Sequence, residues 1–200
     1  MEHYFDPAPQ SASRPRVIEL ALPDRSFTLD TDRGVFSGDR VDPGTRLLLL
    51  EISTDDLAPG AVIADVGCGY GPISVVLAAR RPDATVWAVD VNDRALELCR
   101  GNAKRAGLDN IRVFHADDVP GGSINGIWSN PPIRIGKPAL RSLLSEWLDR
   151  MTPDATAHLV VQRNLGADSL ARWLVDQGYN TERRISRRGY RLVDVRRTGT

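Results

Sequence analysis

The sequence lacks the features of membrane proteins, secreted proteins and disulfide-stapled domains. No stretch approaches the roughly 18 uninterrupted apolar residues that a membrane helix needs. The first residues contain no apolar core followed by a cleavage site, so no secretory signal is predicted. The two cysteines, Cys68 and Cys99, are too few and too isolated for a disulfide framework or a Cys-x-x-Cys metal site. We therefore expect a soluble, cytoplasmic protein with reduced thiols and no metal.

The sequence also has no net charge, because 26 basic residues balance 26 acidic ones. The total therefore gives no argument for nucleic acid or membrane binding, although it can hide a local patch. Hydrophobic residues make up 42% of the chain and charged residues 26%, as in globular proteins. Its 200 residues are enough for one domain with a sizeable core.

Strand and helix patterns alternate from residue 61 onward. Such alternation predicts a Rossmann-like α/β fold, with a mostly parallel sheet covered by helices on both faces. The last two strands are separated only by a turn and should form an antiparallel hairpin at one edge. The predicted strands are 61–66, 85–90, 111–114, 124–128, 157–161, 180–186 and 191–196, and the predicted helices are 73–79, 92–106, 140–151 and 169–176.

Residues 1–40 are predicted to be an N-terminal extension, and residues 41–200 the main domain. Within the extension, two strand-like runs flank the turn at 23–26 and predict a short β-hairpin. Asp42 and Pro43 then have the pattern of an N-cap and a first-turn proline, which predicts a helix through Leu50.

A glycine loop follows the first strand of the main domain. Gly67, Gly69 and Gly71 lie within the segment Asp65–Gly71, which also contains Cys68, and open the next helix. In open parallel sheets, ligands bind beyond the carboxyl ends of the strands. The spacing G-x-G-x-G, preceded by an acid, differs from the dinucleotide fingerprint and is typical of Rossmann-like methyltransferases. A plain structural turn is the alternative.

Two further acidic residues follow the next two strands. Asp90 ends its strand, where a carboxylate can accept hydrogen bonds from both ribose hydroxyls of a nucleoside-like ligand. Asp117 is a candidate acceptor for an adenine amino group, with a solvated turn or cap as the alternative. It is preferred only modestly over Asp118.

The fourth strand of the main domain runs into Asn130, Pro131, Pro132 and Ile133. Methyl transfer needs an in-line nucleophile, and an amide or exocyclic nitrogen is a poor one. The Asn130 side-chain oxygen and the Pro131 carbonyl can accept its two N–H bonds and stabilise the developing positive charge. A rigid loop without catalytic function is the alternative.

Taken together, these motifs resemble those of class I methyltransferases of the RsmC-like group, which methylate a guanine amino group in small-subunit ribosomal RNA. The segments 32–37 and 41–48 also resemble that group, so the likeness covers nearly the whole chain. It implies a seven-stranded sheet with an antiparallel last strand and S-adenosyl-L-methionine as cofactor. Cofactor contacts would come from Asp65–Gly71, Asp90, Val91, Asp117 and Asn130, and residues 130–133 would form the target-amine pocket.

The chain departs from that group in two respects. Many members have Phe or Tyr where this chain has Ile133, so a base would have to stack elsewhere, on Phe36 or Tyr4, or the target is not a base. Longer members carry an additional methyltransferase-like half, whose RNA-docking surface cannot be transferred here. Arginines crowd the last hairpin and could contact phosphates or form a solvated edge: Arg183, Arg184, Arg187, Arg188, Arg191, Arg196 and Arg197.

The first functional hypothesis is therefore methylation of a guanine amine in ribosomal RNA or a small ribosomal subunit. A second hypothesis keeps the chemistry but changes the target to a protein glutamine or a small-molecule amine. A third is a non-catalytic module that binds cofactor or RNA. No Gly-x-Ser-x-Gly elbow is present to support hydrolase chemistry.

Overall fold

A computed structural model describes residues 12–198 of the chain. Within them, β1 (Arg16–Ala21) and β2 (Ser26–Thr31) pair antiparallel as a separate two-stranded sheet. This hairpin is the short N-terminal β extension that the sequence predicts. Tyr4 lies outside the described residues.

The main sheet has seven strands in the order β5-β4-β3-β6-β7-β9-β8, of which β3 to β7 are parallel. This arrangement confirms the predicted Rossmann-like fold. The strands are β3 (Val62–Val66), β4 (Thr85–Asp90), β5 (Ile111–His115), β6 (Ile124–Ser129), β7 (Met151–Gln162), β8 (Tyr179–Arg187) and β9 (Tyr190–Arg197). The helices are α1 (Pro43–Glu51), α2 (Pro72–Arg80), α3 (Asp93–Arg105), α4 (Lys137–Asp149) and α5 (Ala167–Asp176).

The helices divide between the two faces of this sheet. Apolar side chains of α1, α2 and α3 share one buried cluster with the N-terminal hairpin, whereas α4 and α5 pack on the other face. The central strands are therefore apolar on both sides, and Ile63 and Ala64 of β3 are both fully buried. Such strands give continuous apolar runs, which is why the sequence pattern identifies them.

Besides the shared apolar cluster, a buried amide links the hairpin to the rest of the fold. The side-chain oxygen of Asn102, on α3, accepts from the backbone N–H of Asp30 at 2.7 Å. Its Nδ2 donates to the carbonyls of Asp30 at 2.9 Å and of Tyr70 at 2.8 Å. One side chain thus joins β2, α3 and the loop that precedes α2.

The largest differences from the predicted boundaries are at α4 and at the start of β7. Helix α4 begins at Lys137 rather than Leu140, because Pro138 occupies the first turn, where its missing N–H breaks no helical hydrogen bond. The same helix ends at Asp149, and Met151 already pairs with Ile124 as the start of β7.

The predicted C-terminal hairpin is present, but its second strand is not at the edge. β9 pairs antiparallel with both β7 and β8, so β8 is the edge strand. The strand order reverses between β3 and β6, and this switch point opens a crevice at the carboxyl ends of both strands. Within residues 12–198, no helix is both long and apolar enough to cross a membrane.

Candidate active site

A cavity of about 450 Å³ lies at this switch point. Its volume is within the range of about 300–1,000 Å³ that is usual for small-ligand sites. The glycine loop, the end of β4 and the turn after β6 all contribute to its wall. Of the residues predicted from the sequence, those that line it are Gly67, Gly69, Asp90, Val91, Asn130, Pro131, Pro132 and Ile133.

Backbone hydrogen bonds fix the glycine loop against β4. The N–H groups of Gly67 and Cys68 both donate to the carbonyl of Val89 at 2.9 Å. The loop then turns through Gly69, whose φ of +56° suits glycine, and its N–H donates to Oδ2 of Asp90 at 2.8 Å. Loop and acid are therefore parts of one structure rather than two independent motifs.

Asp90 is held by three backbone donors. Besides Gly69, the N–H groups of Val91 and Asn92 donate to its Oδ1, at 2.8 and 3.0 Å. Burial raises the pKa of this carboxyl group, and the three backbone hydrogen bonds oppose that shift. Since a carboxylate has about four acceptor positions, one position remains on Oδ2 for a ligand hydroxyl.

Asp65 lies behind the loop and is fully buried. Its Oδ2 accepts from the Ser74 hydroxyl at 2.6 Å, whereas its Oδ1 has no hydrogen-bond partner among the described residues. Burial raises the pKa of Asp65 to about 7, against the opposing effect of the Ser74 hydrogen bond. Asp65 does not line the cavity, but an unpaired buried carboxylate oxygen is a suitable acceptor for a cationic or N–H-bearing group.

Three other predicted cofactor residues do not line the cavity. Cys68 is buried against Cys99, and burial raises the pKa of its thiol well above the usual value. Gly71 begins α2 with a φ of +89°, and a Cβ there would lie 2.6 Å from the Cys99 sulfur. The Asp117 side chain is 89% exposed and lies 3.5 Å from Nδ1 of His115.

The Asn-Pro-Pro segment forms a tight turn beside the glycine loop. Pro132 has φ −73° and ψ 72°, values of an inverse γ-turn, and the N–H of Ile133 donates to the Pro131 carbonyl at 2.8 Å. That carbonyl keeps one lone pair for a further donor. A Cβ on Gly67 would lie 3.8 Å from Cδ of Pro132, so the two predicted motifs face each other across a van der Waals contact.

The side-chain amide of Asn130 is held on its nitrogen side. Nδ2 donates to Oδ2 of Asp42 and to Oγ1 of Thr45, both at 2.9 Å. The Asn130 Oδ1 has no hydrogen-bond partner among residues 12–198. Asp42 also caps α1 by accepting from the Thr45 N–H at 2.9 Å, and the Tyr190 hydroxyl lies 3.4 Å from its Oδ1.

Asp42, Thr45 and Tyr190 are site residues that the sequence pattern does not identify. The pattern assigns Asp42 only a capping role, since residues 42, 130 and 190 are distant in the chain. The first-turn proline, the following apolar helix and the family resemblance of segment 41–48 are the signals there, and they do not show which loop the start of the helix faces.

An aromatic ring and two arginines line the cavity, and three further arginines lie at the same edge of the sheet. Phe36 lines it and is 41% exposed. Arg163 joins the β8–β9 turn to the end of β7, because its N–H donates to the Gly189 carbonyl at 2.8 Å. We call five exposed residues at this end of the sheet the mouth arginines: Arg40, Arg134, Arg163, Arg187 and Arg188.

The mouth arginines differ from three other arginines of the last hairpin, Arg183, Arg184 and Arg191. In the described part of the chain, none of the five has a carboxylate oxygen within 4 Å. By contrast, Arg184 pairs with Asp194 at 3.2 Å, and Arg183 and Arg191 both pair with Asp168. The arginine-rich hairpin is therefore partly an internal ion-pair network and partly an unpaired turn, at 187–188, near the cavity.

Comparison with known proteins identifies one matching family model and several similar proteins. The family model described as "Methyltransferase small domain" matches residues 26–193. The uncharacterized protein YbxB of Bacillus subtilis (strain 168) is 32% identical, over 98% of each chain.

With two further relatives, the match covers a smaller share of the relative's own length. The ribosomal RNA small subunit methyltransferase C of Shewanella halifaxensis is 31% identical over 74% of this chain and 43% of its own. The ribosomal protein L11 methyltransferase of Caldanaerobacter subterraneus subsp. tengcongensis is 28% identical over 73% of this chain and 43% of its own. The chain thus spans less than half the length of either relative.

Among solved structures, the T. thermophilus 16S rRNA N2 G1207 methyltransferase RsmC, in complex with AdoMet and guanosine, is similar with a TM-score of 0.76. The sequence identity is 21%, and the match covers 94% of this chain and 52% of that one. At this identity the likeness concerns the fold.

Proposed function

Since the chain belongs to the methyltransferase small domain family and is an S-adenosylmethionine-dependent methyltransferase, we propose that it methylates the exocyclic amine of a guanine in ribosomal RNA. The methyltransferase assignment sets aside the hypothesis of a non-catalytic module. A ribosomal RNA target is consistent with the expected cytoplasmic location and with RNA or the small ribosomal subunit as partner.

The residues around the cavity fit the cofactor. The glycine loop brings backbone, without side chains, to the wall at Gly67 and Gly69, and Asp90 keeps one acceptor position for a ribose hydroxyl. Val91 lines the wall next to Asp90, and the unpaired Oδ1 of Asp65 is a suitable acceptor for the methionine ammonium, directly or through water. When bound, the cofactor supplies an electrophilic methyl group on a sulfonium.

The Asn-Pro-Pro turn would hold the target amine, in which the methyl group that the cofactor supplies would replace one proton, and this proton would pass to solvent. The free Oδ1 of Asn130 and the remaining lone pair of the Pro131 carbonyl accept its two N–H bonds. This arrangement directs the nitrogen lone pair away from the turn and stabilises the positive charge that develops on nitrogen. Proline at 131 and 132 removes two backbone N–H donors that would compete for the same acceptors. No acid or base is needed to start the transfer, because the oriented lone pair is itself the nucleophile.

The mouth arginines are the observation that favours RNA. Of these five exposed arginines without carboxylate partners among residues 12–198, Arg40 and Arg134 line the cavity, and the other three lie at the same edge of the sheet. Guanidinium groups bind phosphate oxygens through two parallel hydrogen bonds, so they suit a polyanionic substrate. The similarity to ribosomal RNA small subunit methyltransferase C supports the same substrate class.

The decisive experiment identifies which substrate receives a radiolabelled methyl group. Purified protein is incubated with radiolabelled S-adenosylmethionine and, separately, with total RNA, ribosomal subunits and protein extract from cells lacking the protein. Label recovered as guanine methylated on its amino group is the expected result. Label only in protein would overturn the proposed substrate but not the chemistry, and would favour the second candidate, a glutamine side chain. The similarity to a ribosomal protein L11 methyltransferase is the observation behind that candidate.

Replacing Asn130 by alanine tests the proposed catalytic role. The variant is expected to bind S-adenosylmethionine with unchanged affinity but to lose turnover by about 100-fold or more, in line with the loss of one preorganised hydrogen-bonding group in other enzymes. Asn180→Ala, at an exposed position on β8, is the matched control. Undiminished turnover in the Asn130 variant would remove this residue from the mechanism.

The phosphate-binding role of the mouth arginines is tested by salt dependence. In the double variant Arg187→Gln/Arg188→Gln, the plot of log affinity for RNA against log salt should become shallower by about 0.7–0.9 for each phosphate that is no longer neutralised. The double variant Lys104→Gln/Arg172→Gln removes two exposed charges elsewhere and serves as control. Equal slopes in the two variants would exclude Arg187 and Arg188 from the RNA surface.

A further inference from the structure

The two ends of a carboxamide have nearly the same shape, so shape alone does not decide which end of Asn130 faces the cavity. The Asn130 oxygen can accept an amine proton only if the NH₂ group points away from the cavity. The neighbours on that side are Asp42 and Thr45, both 2.9 Å from Nδ2. The orientation of the catalytic amide therefore depends on the chemistry of these two side chains.

Asp42 allows one orientation only. A carboxylate accepts hydrogen bonds and donates none, so it stabilises the NH₂ end of the amide and repels the oxygen end. Thr45 is less selective, because its hydroxyl can accept from nitrogen or donate to oxygen. Thr45 is buried, and its Oγ1 accepts the second N–H of Asn130, which leaves neither proton of that amide facing the cavity.

Asp42 is itself held in a fixed position. Its Oδ2 accepts the Thr45 N–H at 2.9 Å as the N-cap of α1, and its Oδ1 lies 3.4 Å from the Tyr190 hydroxyl. The Tyr190 ring packs directly on Gly44, where an added Cβ would lie 2.5 Å from the ring. The helix cap, the last strand and the catalytic turn thus meet at one carboxylate.

We propose that Asp42, supported by Thr45, is a positioning residue that fixes the Asn130 amide with its oxygen toward the substrate and so selects a nucleophile that carries N–H. The proposal rests on the catalytic role of Asn130 under the proposed function. The negative charge of Asp42 also polarises the amide, which makes the Asn130 oxygen a stronger acceptor as positive charge develops on the amine. A reversed amide would present N–H donors and disfavour an amine.

Two substitutions separate positioning from helix capping. Asparagine and serine cap helices about as well as aspartate, so neither variant should lose α1. In Asp42→Asn, the side-chain oxygen can still accept from both Thr45 N–H and Asn130 Nδ2. In Asp42→Ser, the hydroxyl can cap the helix but is too short to reach Asn130.

The first measurement needs no substrate. In ¹⁵N-labelled protein, the side-chain NH₂ signals of Asn130, assigned by their loss in Asn130→Ala, are expected to exchange slowly with solvent in the wild type and in Asp42→Asn. They should exchange rapidly in Asp42→Ser. Slow exchange in Asp42→Ser would overturn the proposal. This measurement remains informative if the wild type methylates no RNA, which would contradict the proposed function alone.

The second measurement is turnover on ribosomal RNA. Asp42→Ser is expected to lower kcat by roughly 10- to 150-fold, the equivalent of one charge-assisted hydrogen bond, with unchanged affinity for S-adenosylmethionine. Asp42→Asn should restore most of the turnover, and Thr45→Ser should retain more than the isosteric Thr45→Val. Equal losses in Asp42→Ser and Asp42→Asn, or equal kcat in Asp42→Ser and wild type, would show that Asp42 does not orient Asn130.

Discussion

Asp65 should make the stability of this protein fall with rising pH, and the Asp65→Asn substitution should remove that dependence. The carboxyl group is fully buried, and one of its oxygens has no hydrogen-bond partner among the described residues. Burial raises its pKa from 3.8 to about 7, although the Ser74 hydroxyl opposes the shift. The charged form is thus poorly solvated in the folded protein.

The magnitude follows from proton linkage. Between about pH 4 and pH 7 the folded state holds a proton on Asp65 that the unfolded chain has already released, so raising the pH favours unfolding. The slope is about 1.4 kcal/mol per pH unit and vanishes above the folded pKa. The wild type should therefore lose roughly 2–3 kcal/mol relative to Asp65→Asn between pH 5 and pH 8. The variant's own defect, an amide N–H group without a partner, should be constant over this range.

The assay is urea unfolding of the wild type and Asp65→Asn at pH 5, 6, 7 and 8, followed by tryptophan fluorescence. Titrations of groups that do not interact with Asp65 cancel in the difference between the two free energies of unfolding, which therefore reports Asp65 together with its charge interaction with Asp90. Asp118→Asn, at an exposed position, is the matched control. A difference for Asp65→Asn that does not vary with pH would show that this carboxyl group ionises normally and would refute the reasoning.

Two further substitutions test packing and base recognition. Gly71→Ala should lower the free energy of unfolding by roughly 2–5 kcal/mol, because the left-handed backbone is strained and the new Cβ overlaps the Cys99 sulfur. Gly107→Ala has a similar backbone but open space, so it should lose only about 1–2 kcal/mol, and equal losses would exclude the overlap. If the Phe36 ring stacks on the target base, Phe36→Leu should raise KM for RNA about 5- to 150-fold, and Phe36→Tyr should not. A loss of S-adenosylmethionine affinity instead would assign the ring to the cofactor.

The sequence was sufficient to predict the fold and the two main motifs of the candidate site. Apolar runs that end in glycine or acidic residues identify parallel strands and the edge at which their loops meet, and this reasoning placed Gly67, Gly69, Asp90 and Asn130 together. It could not resolve side-chain direction. Asp90 and Asp117 follow neighbouring strands in the same way, but only Asp90 lines the cavity, whereas the Asp117 side chain faces solvent.

The contacts between distant parts of the chain could not be predicted from the sequence, because they depend on which elements become neighbours in the fold. Asp42 reaches Asn130 because α1 begins beside the turn that follows β6, and Tyr190 reaches Asp42 because β9 inserts beside β7. Neither arrangement follows from local periodicity, which determines the type of an element but not its neighbours. For the same reason, the sequence does not show which arginines of the last hairpin form ion pairs and which lie near the cavity.

The position of β9 has a consequence for the newly made chain. β9 follows β8 in the sequence but lies between β7 and β8, so both strands lack their shared neighbour until residues 190–197 are available. The glycine loop and the Asn-Pro-Pro turn are synthesised much earlier, when the β7 edge is still open. That edge belongs to an apolar strand, in which Leu159, Val160 and Val161 are buried, and open edges of this kind promote aggregation.

A chain that ends at Gly189 should therefore aggregate, whereas one that ends at Thr198 should remain dispersed, as measured by size-exclusion chromatography. A dispersed, cooperatively folding protein ending at Gly189 would contradict this view. Completion of the sheet thus waits until residues 190–197 have been synthesised, and nascent chains should depend on chaperones until then.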